Sequence, residues 1–574
     1  MPFGDLIRQR GTDRTSRDRA FVLFNDERVS FAAYHAECVR WANLLLTLRK
    51  VSVPFHVGVL LDNTPDYLYA FGGAALAGAT LVGINNTKRG EHLARDITHT
   101  DCQILVTEEK YLPLLDPIGG QLGVARERFL VSHRWSDASN PPTLEPSNPH
   151  GTDLDAALAQ HGGGGDPNIG VSDKDTCVLI FTSGTVSAPK AVICSHGRAV
   201  ETGKNIGSNM YGLTPADVGY LAMPLFHSNA MMCGYFPALY YGCGLGLIRK
   251  FSKTQWLADI RRYGVTFFNY TGKPLAYILT TARQPDDHVN PLRICFGNEG
   301  SNATVQEFAE RFDCRVIDTF GSTEGGAGVT RQPDDPPGSI GMPAPGILIV
   351  DEDSQQRPAA QFDGAGRLLN PDEAIGEIVN TLGTGWFEGY YQNDDAMRAR
   401  TRNGWYWTGD LGYRDERGYL YFAGRDVDWI RVDGENFPGR PIEEILLRHP
   451  AIALAAVYGV PDAQAGDRVM AAVILRDGYT FDSVEFAAFL ARQPDLSPKW
   501  VPTYLRVCQS WPETGTNKVL KRELQRQKFD LDAFADPVYW RSPGDARFRL
   551  FGRTDYGEIR AAFVASGSSA RLDV

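Results

Sequence analysis

The chain has 574 residues, a net charge of −11, 43% hydrophobic residues and 22% charged residues. That length exceeds one simple core, so at least two domains are expected; the acidic balance, without long Lys/Arg runs, excludes nucleic acid as the main partner. Nine cysteines with no CxxC or other metal-type spacing read as reduced thiols of a cytoplasmic protein, not as a disulfide frame or a zinc site. The first residues, "MPFGDLIRQRGTDRTSRDR", are polar and lack the apolar core of a signal peptide.

In chain order, "FAAYHAECVRWANLLLTL" has helical periodicity and "HVGVLL" is a strand-type run. "LYAFGGAALAGATLVGI" falls short of a bilayer span and reads as a buried helix running into a strand. Strand-type runs continue with "QILVT", "CVLIF", "VGYLAM", "LGLIR", "VTFFNY", "RICFG" and "RVIDTF", with the helical "TQWLADIRRY" among them. Such alternation predicts α/β architecture with parallel-rich sheets and helices. "SDASNPPTLEPSNPHGTD" and "HGGGGDPN" are Pro/Gly/Asp-rich breaks, expected as surface loops. From Asp334 to Asp372 the chain becomes Gly/Pro-punctuated. "GEIVNTLG" and "GWYWTGDLGYRDERGYLYFAGR" then read as β-hairpins of a small β-barrel-like part. After Arg425 the pattern is mixed α+β, through "IEEILLRHP", "IALAAVYGV", "VMAAVILR" and "VEFAAFLAR". The expected division is an N-terminal domain over 1–424, a hinge at 425–428 and a smaller α+β domain over 428–574, with the tail "SGSSARLDV" poorly ordered.

One stretch carries chemistry. In "FTSGTVSAPKAVICSHGR", Thr182, Ser183, Gly184 and Thr185 follow an apolar strand and offer hydroxyls and unhindered N–H groups, a good anion cradle, with Lys190 as a point charge. It is not a Walker A loop, because Pro189 and Ala191 stand where Gly and Ser/Thr are required. Read alone, a solvated Ser/Thr-rich turn explains it equally well. Downstream come "DTFGSTEGG", "GEI", "GWYWTGDLG", "GRDVDWIRVDGENF" and "TGTNKVLKREL". In that order these motifs resemble the core motifs of the adenylate-forming superfamily of acyl-CoA synthetases, luciferases and adenylation domains, over about Phe21 to Phe529. "INNTKRGEHLARDI", "PLFHSNAMM", "TFFNYTGKPLAYIL" and "TGTNK" are similar to its fatty acyl-CoA synthetase and fatty acid transport protein branch, in an actinobacterial texture.

The resemblance implies two half-reactions: a carboxylate and ATP give acyl-AMP and pyrophosphate, then a thiol, usually of coenzyme A, displaces AMP. An anion attacking a polyanion needs positioning and charge neutralisation. By resemblance, Thr182 to Thr185 would cradle the β- and γ-phosphates, Glu324 with Thr185 would hold Mg²⁺, and Thr323 would touch the α-phosphate. Phe320 would stack on adenine and Asp318 would accept from its amino group, within Asp318, Thr319, Phe320 and Gly321. Gly297, Asn298 and Glu299 would form the other wall, Asp410 would bind the ribose hydroxyls, and Arg425 would reach the ribose or a phosphate. Lys518, on a mobile C-terminal domain, would bridge the substrate carboxylate and the α-phosphate; Lys521 is the fallback and reads better as a solvated lysine starting a helix. His227 would stand beside the carboxylate site, and the lack of an Asp there disfavours an α-amino acid substrate. "NAMMCGYFPALYYGCGLGL" and "FFNYTGKPLAYIL" read either as core or as the lining of an acyl tunnel, and "RVDGENF" near Gly434 would contribute to the coenzyme A groove.

Three departures stand out: Val186 and Ser187 in the loop, where the family usually has Thr and Gly; Val427 at the hinge; and Asn517 before the lysine. The expected activity is an acid–thiol ligase with ATP and CoA as co-substrates and a fatty or sterol side-chain acid as substrate. The alternatives are an acyl-AMP ligase loading a carrier protein, a non-catalytic acyl-binding or uptake protein with a degenerate site, and a luciferase-like oxygenase. Peripheral membrane contact and a homodimer are compatible with the sequence.

Overall fold

A computed structural model describes the chain except residues 136–150, 183–188, 333, 337, 365–367, 425–428, 433–434, 464–465, 515–518, 542–546, 566–568 and 574. The periodicity of the first apolar helix is realised over Phe31–Leu48, which begins where Ser30 Oγ accepts from the Ala33 N–H at 3.2 Å. The Gly/Ala-rich stretch forms a helix over Pro65–Ala77, buried at every residue, and then the strand Thr80–Gly83. Pro65 opens that helix and Gly78, at φ 68, closes it.

The described residues form four sheets. One runs Val329–Thr330, Arg315–Phe320, Ile294–Asn298, Phe267–Thr271, Val218–Leu221, Gly244–Leu247, Ala20–Phe24, Glu27–Ser30, and is parallel except at its two edge pairs. A second orders Thr152–Asp153, Phe129–Ser132, Cys102–Glu108, His56–Leu60, Thr80–Gly83, Thr176–Phe181, Ala191–Ser195, parallel but for the last pair. Helices between these sheets bury one continuous apolar core that includes Trp41, Phe71, Tyr235 and Phe267. This is the expected parallel-rich α/β part.

The third sheet is antiparallel, from Ser339–Gly341 through Leu420–Gly424, Trp405–Arg414 and Gly376–Asn380 to Ile347–Val350. The "DERG" turn joins Trp405–Arg414 to Leu420–Gly424 as a hairpin, as predicted. "GEIVNTLG" differs: Gly376–Asn380 pairs with Ile347–Val350 and Trp405–Arg414 instead of folding on itself, because Gly383 and Gly385 (φ 115 and 57) turn the chain away. The fourth sheet, with strands from Trp429–Val432 to Arg549–Leu550, has its own core around Ile442, Val457, Val473 and Phe486.

The smaller unit docks on the larger. Ala276 joins a cluster with Tyr458, Trp511 and Leu524, and the guanidinium of Arg476 grips both oxygens of Glu307 at 2.7 and 2.8 Å. Of the tail, residues 566–568 and 574 lie outside the described residues; Ala570–Asp573 is helical, and Leu572 O accepts from Lys528 Nζ at 2.7 Å. Among the described residues no helix is long and apolar enough to cross a membrane.

Candidate active site

Three neighbouring parallel strands end side by side, with Thr271 opposite Asn298 and Asn298 opposite Thr319. The crevice beyond the carboxyl ends of such strands is where open α/β sheets take ligands. Gly297 is needed for close approach, since a Cβ there would lie 2.2 Å from Tyr270 O. Asn298 Oδ1 accepts from Thr271 Oγ1 at 2.8 Å. Glu299, at φ 70, turns the chain so that the Gly300 N–H donates to Asp318 Oδ2 at 2.8 Å. The same oxygen accepts from the Tyr270 hydroxyl at 2.6 Å. Burial pushes the Asp318 carboxyl up to about 6, against the pull of Arg331 and of those two hydrogen bonds. Thr319 Oγ1 donates to Gly297 O at 3.1 Å, tying the two walls together. Phe320 is half-buried with its ring 5.8 Å from that of Phe422, a second aromatic the motifs did not point to; Gly321 is exposed and leaves the mouth open.

The chain then turns into the Thr323–Glu324 pair. Thr323 Oγ1 and Ser228 Oγ are 2.7 Å apart, so the "FHSNAM" segment meets the "GSTEGG" loop directly. His227 is half-buried next door, and its Nδ1 accepts from the Asn229 N–H at 3.3 Å. Glu324 is 6% exposed, and its Oε1 accepts from the Tyr390 hydroxyl at 2.6 Å. The guanidinium of Arg198 donates to Thr323 O at 2.6 Å, Glu324 O at 3.0 Å and Ile193 O at 3.0 Å. Sequence reading missed Tyr390 and Arg198. The available signals were the Tyr-rich "GYYQN" and an arginine one turn into the helix after the loop.

At the candidate phosphate loop, the Thr182 N–H donates to Lys190 O at 3.0 Å; Lys190 is half-buried. Ser183, Gly184 and Thr185, with Val186 and Ser187, lie outside the described residues. Asp410 is buried within Trp405–Arg414, where its N–H donates to Thr408 Oγ1 at 3.1 Å. Arg425, Val427, Asn517 and Lys518 also lie outside the described residues. Either side of Lys518, Glu513 and Val519 pair antiparallel. Burial pushes Glu513 up to about 7 against the pull of Lys273, which lies two residues beyond Thr271.

Lys521 begins the helix Lys521–Gln527 but is not a solvated lysine: its Nζ is 2.7 Å from Oε1 of the buried Glu443, whose carboxylate needs a cation. The apolar stretches proposed for a tunnel are largely core. Met231 and Tyr235 are buried in the seven-residue π-helix Asn229–Tyr235, and Phe268 and Tyr270 pack against the core around Trp256 and Phe308. Phe267 and Asn269 face the other way, and Asn269 Nδ2 donates to Asn229 Oδ1 at 2.7 Å on the π-helix.

Parallel strands ending in a Gly-dependent crevice, a buried acid–aromatic slot and a docked C-terminal unit define an enzyme of the nucleotide-binding α/β class. The chain belongs to the family of AMP-binding enzymes: that family's model matches residues 9–391, and the model of the AMP-binding enzyme C-terminal domain matches 441–518. The expected superfamily is therefore the right one. The chain is 44% identical over 565 residues to a steroid-22-oyl-CoA synthetase of Rhodococcus jostii (strain RHA1), covering 98% of each chain. It is 42% identical over 521 residues to the medium/long-chain-fatty-acid–CoA ligase FadD17 of Mycobacterium marinum, covering 90% of this chain and 95% of that one. In fold it is similar to the anthranilate CoA ligase AuaEII in complex with anthranoyl-AMP, at a TM-score of 0.76 and 22% identity over 91% of this chain and 96% of that one.

Proposed function

We propose that this chain is an ATP-dependent acyl-CoA ligase acting on a medium- or long-chain fatty acid or a steroid side-chain carboxylic acid. The observation that carries the reading is the 44% identity to a steroid-22-oyl-CoA synthetase across 98% of both chains. In the first step an oxygen of the acid attacks the α-phosphorus, the bond to the β-phosphate oxygen breaks and pyrophosphate leaves. In the second, the coenzyme A thiol loses its proton, its sulfur attacks the acyl carbon, and AMP leaves.

The residue roles are those that membership of the family implies, and each suits the chemistry of its side chain. Asp318 and Phe320, facing Gly297 to Glu299, take the adenine; Asp410 takes the ribose and Arg425 the ribose or a phosphate. Thr182 to Thr185 and Lys190 take the outer phosphates, and Thr323 the α-phosphate. Lys518 draws the acid and the α-phosphate together from a C-terminal domain that begins after a hinge at 425–428. His227 stands at the acid's end of the site. A divalent metal fits the donor set. Glu324 is a buried single carboxylate with one oxygen engaged, and no group of three or more His, Cys, Asp or Glu clusters to cage an ion among the described residues. Mg²⁺ suits such a site, since it binds through one or two carboxylates plus phosphates and water. Glu324 and Thr185 would hold it, and when bound it neutralises phosphate charge.

Acid-dependent exchange of labelled pyrophosphate into ATP, run across fatty acids and steroid side-chain acids with and without coenzyme A, tests this reading. Exchange together with thioester product is the expected outcome. Exchange with adenylate release but no thioester would favour an acyl-AMP ligase, and no exchange with any acid would favour a binding protein.

A further inference from the structure

Two stretches far apart in sequence meet behind Glu324. The first is the strand leaving the phosphate loop, Ala191–Ser195, with the helix His196–Asn205 that follows. The second is the segment from Trp386 to Asn393. They are laced together: the Ile193 N–H donates to Gly389 O at 3.0 Å, the Tyr391 N–H to Ala191 O at 2.8 Å, and Asn393 Nδ2 to Pro189 O at 3.1 Å. The Ser195 hydroxyl, which caps the helix through the Arg198 N–H, donates to Glu388 Oε1 at 2.6 Å. The two stretches form a seam between the arm of the phosphate loop and the antiparallel sheet.

The "GSTEGG" loop is pinned on this seam from two sides. Arg198 is 5% exposed and spends its planar fork on three backbone carbonyls, two on this loop (Thr323 and Glu324) and one, Ile193, on the arm of the phosphate loop. The Trp386 N–H donates to Gly325 O at 3.0 Å, and Gly325 takes φ 69, with room for a Cβ only 3.1 Å from Trp386 Cβ and 3.3 Å from Arg198 Nη2. Tyr390, 6% exposed, reaches the carboxylate itself and occupies Oε1, so Oε2 has no hydrogen bond among the described residues.

We propose that Tyr390 and Arg198 are positioning residues for Glu324. Tyr390 fixes one carboxylate oxygen so that the other is presented to a divalent cation, and Arg198 fixes the Thr323–Glu324 backbone against the arm of the phosphate loop. Distance between the acid and the triphosphate is then set by the seam, not by the loop, whose Gly-rich backbone would otherwise wander. This role presupposes that Glu324 contacts the metal.

The test is Mn²⁺ binding with α,β-methylene-ATP, followed by electron paramagnetic resonance, on the full chain. Tyr390→Phe is expected to weaken Mn²⁺ binding about tenfold, the scale of one hydrogen bond to a charged group. Half-saturating Mg²⁺ in pyrophosphate exchange should rise in step, with half-saturating acid changed by less than twofold. Arg198→Lys keeps the charge but not the fork and should weaken Mn²⁺ binding likewise. The deciding comparison is Tyr390→Phe in a Glu324→Ala background, where no further loss of Mn²⁺ binding is expected. Additive losses there, or unchanged Mn²⁺ binding in Tyr390→Phe alone, overturn the assignment. Mn²⁺ binding is read without turnover, so a wild-type chain that exchanges no pyrophosphate counts against the ligase reading and not against the positioning role.

Discussion

Asp318→Asn separates a nucleotide acid from a merely structural one. The carboxyl is held at about 6 because burial outweighs Arg331, Tyr270 and Gly300. If its ionised form accepts the adenine amino group, ligand binding must weaken as the group protonates. With a value near 6, about one carboxyl in ten is ionised at pH 5 and about nine in ten at pH 7, so affinity should fall roughly tenfold between those pH values. Adenosine is the probe of choice, because it has no group that titrates in this range. In Asp318→Asn, affinity at pH 7 should drop roughly tenfold to a hundredfold, since hydrogen bonds to charged groups contribute about 1.5–3 kcal/mol. The pH dependence should disappear. Titration by intrinsic fluorescence or calorimetry reads both effects. The sign for stability is opposite. A folded value raised above the ordinary 3.8 contributes stability below about pH 4, and this is lost as pH rises through about 6. The neutralised variant should therefore be more stable than wild type at pH 7, by up to about 3 kcal/mol. Flat adenosine binding from pH 5 to 7 in the wild type, or a variant with the same slope, would refute the assignment.

Gly297→Ala drives a Cβ to 2.2 Å from Tyr270 O and should destabilise by about 1–3 kcal/mol while widening the slot, seen as a lower melting temperature and weaker adenosine binding. Lys518→Ala should cut acyl-adenylate formation by orders of magnitude and spare thioester formation from preformed acyl-AMP; equal losses in both would misassign the lysine. Glu324→Ala should raise the Mg²⁺ requirement steeply in exchange assays, and an unchanged titration would remove it from the metal site. Burial pushes Glu443 up, but Lys521, Arg440 and Lys273 outweigh it and hold the group below its ordinary value. Its stabilisation is present above about pH 4.5 and is lost as pH falls through the lower folded value. Glu443→Gln should cost about 3–5 kcal/mol at pH 7 by leaving Lys521 and the site's hydrogen bonds mismatched, read as a lower urea midpoint for tryptophan fluorescence.

Much of the fold was legible because parallel strands are short unbroken apolar runs: all nine strand-type runs of the α/β part became strands, and "FAAYHAECVRWANLLLTL" became one helix from Phe31 to Leu48. What failed was pairing. "GEIVNTLG" reads as half of a local hairpin, but its partners are fixed by distant residues that periodicity does not report. The site divides in the same way. Asp318, Phe320, Thr323 and Glu324 sit in one contiguous motif and can be singled out from sequence alone. Tyr390, Arg198 and Phe422 act on that motif from 60 to 130 residues away, in segments that look like ordinary surface sequence. Lys521 was misread because its partner, Glu443, lies in a different helix.

The seam between Ile193 and Tyr390 also orders events at the ribosome. The strands around the candidate phosphate loop can pair as soon as they emerge, but Tyr390, which reaches the Glu324 carboxylate, is made almost 200 residues later. At about 5–20 residues per second, the nascent chain would carry a half-built pocket for about 10–40 s. During that interval the exposed edge of Ala191–Ser195 has no Gly389 or Tyr391 to cover it, so newly made chains should depend on holding chaperones most when their length is near 200 to 390 residues.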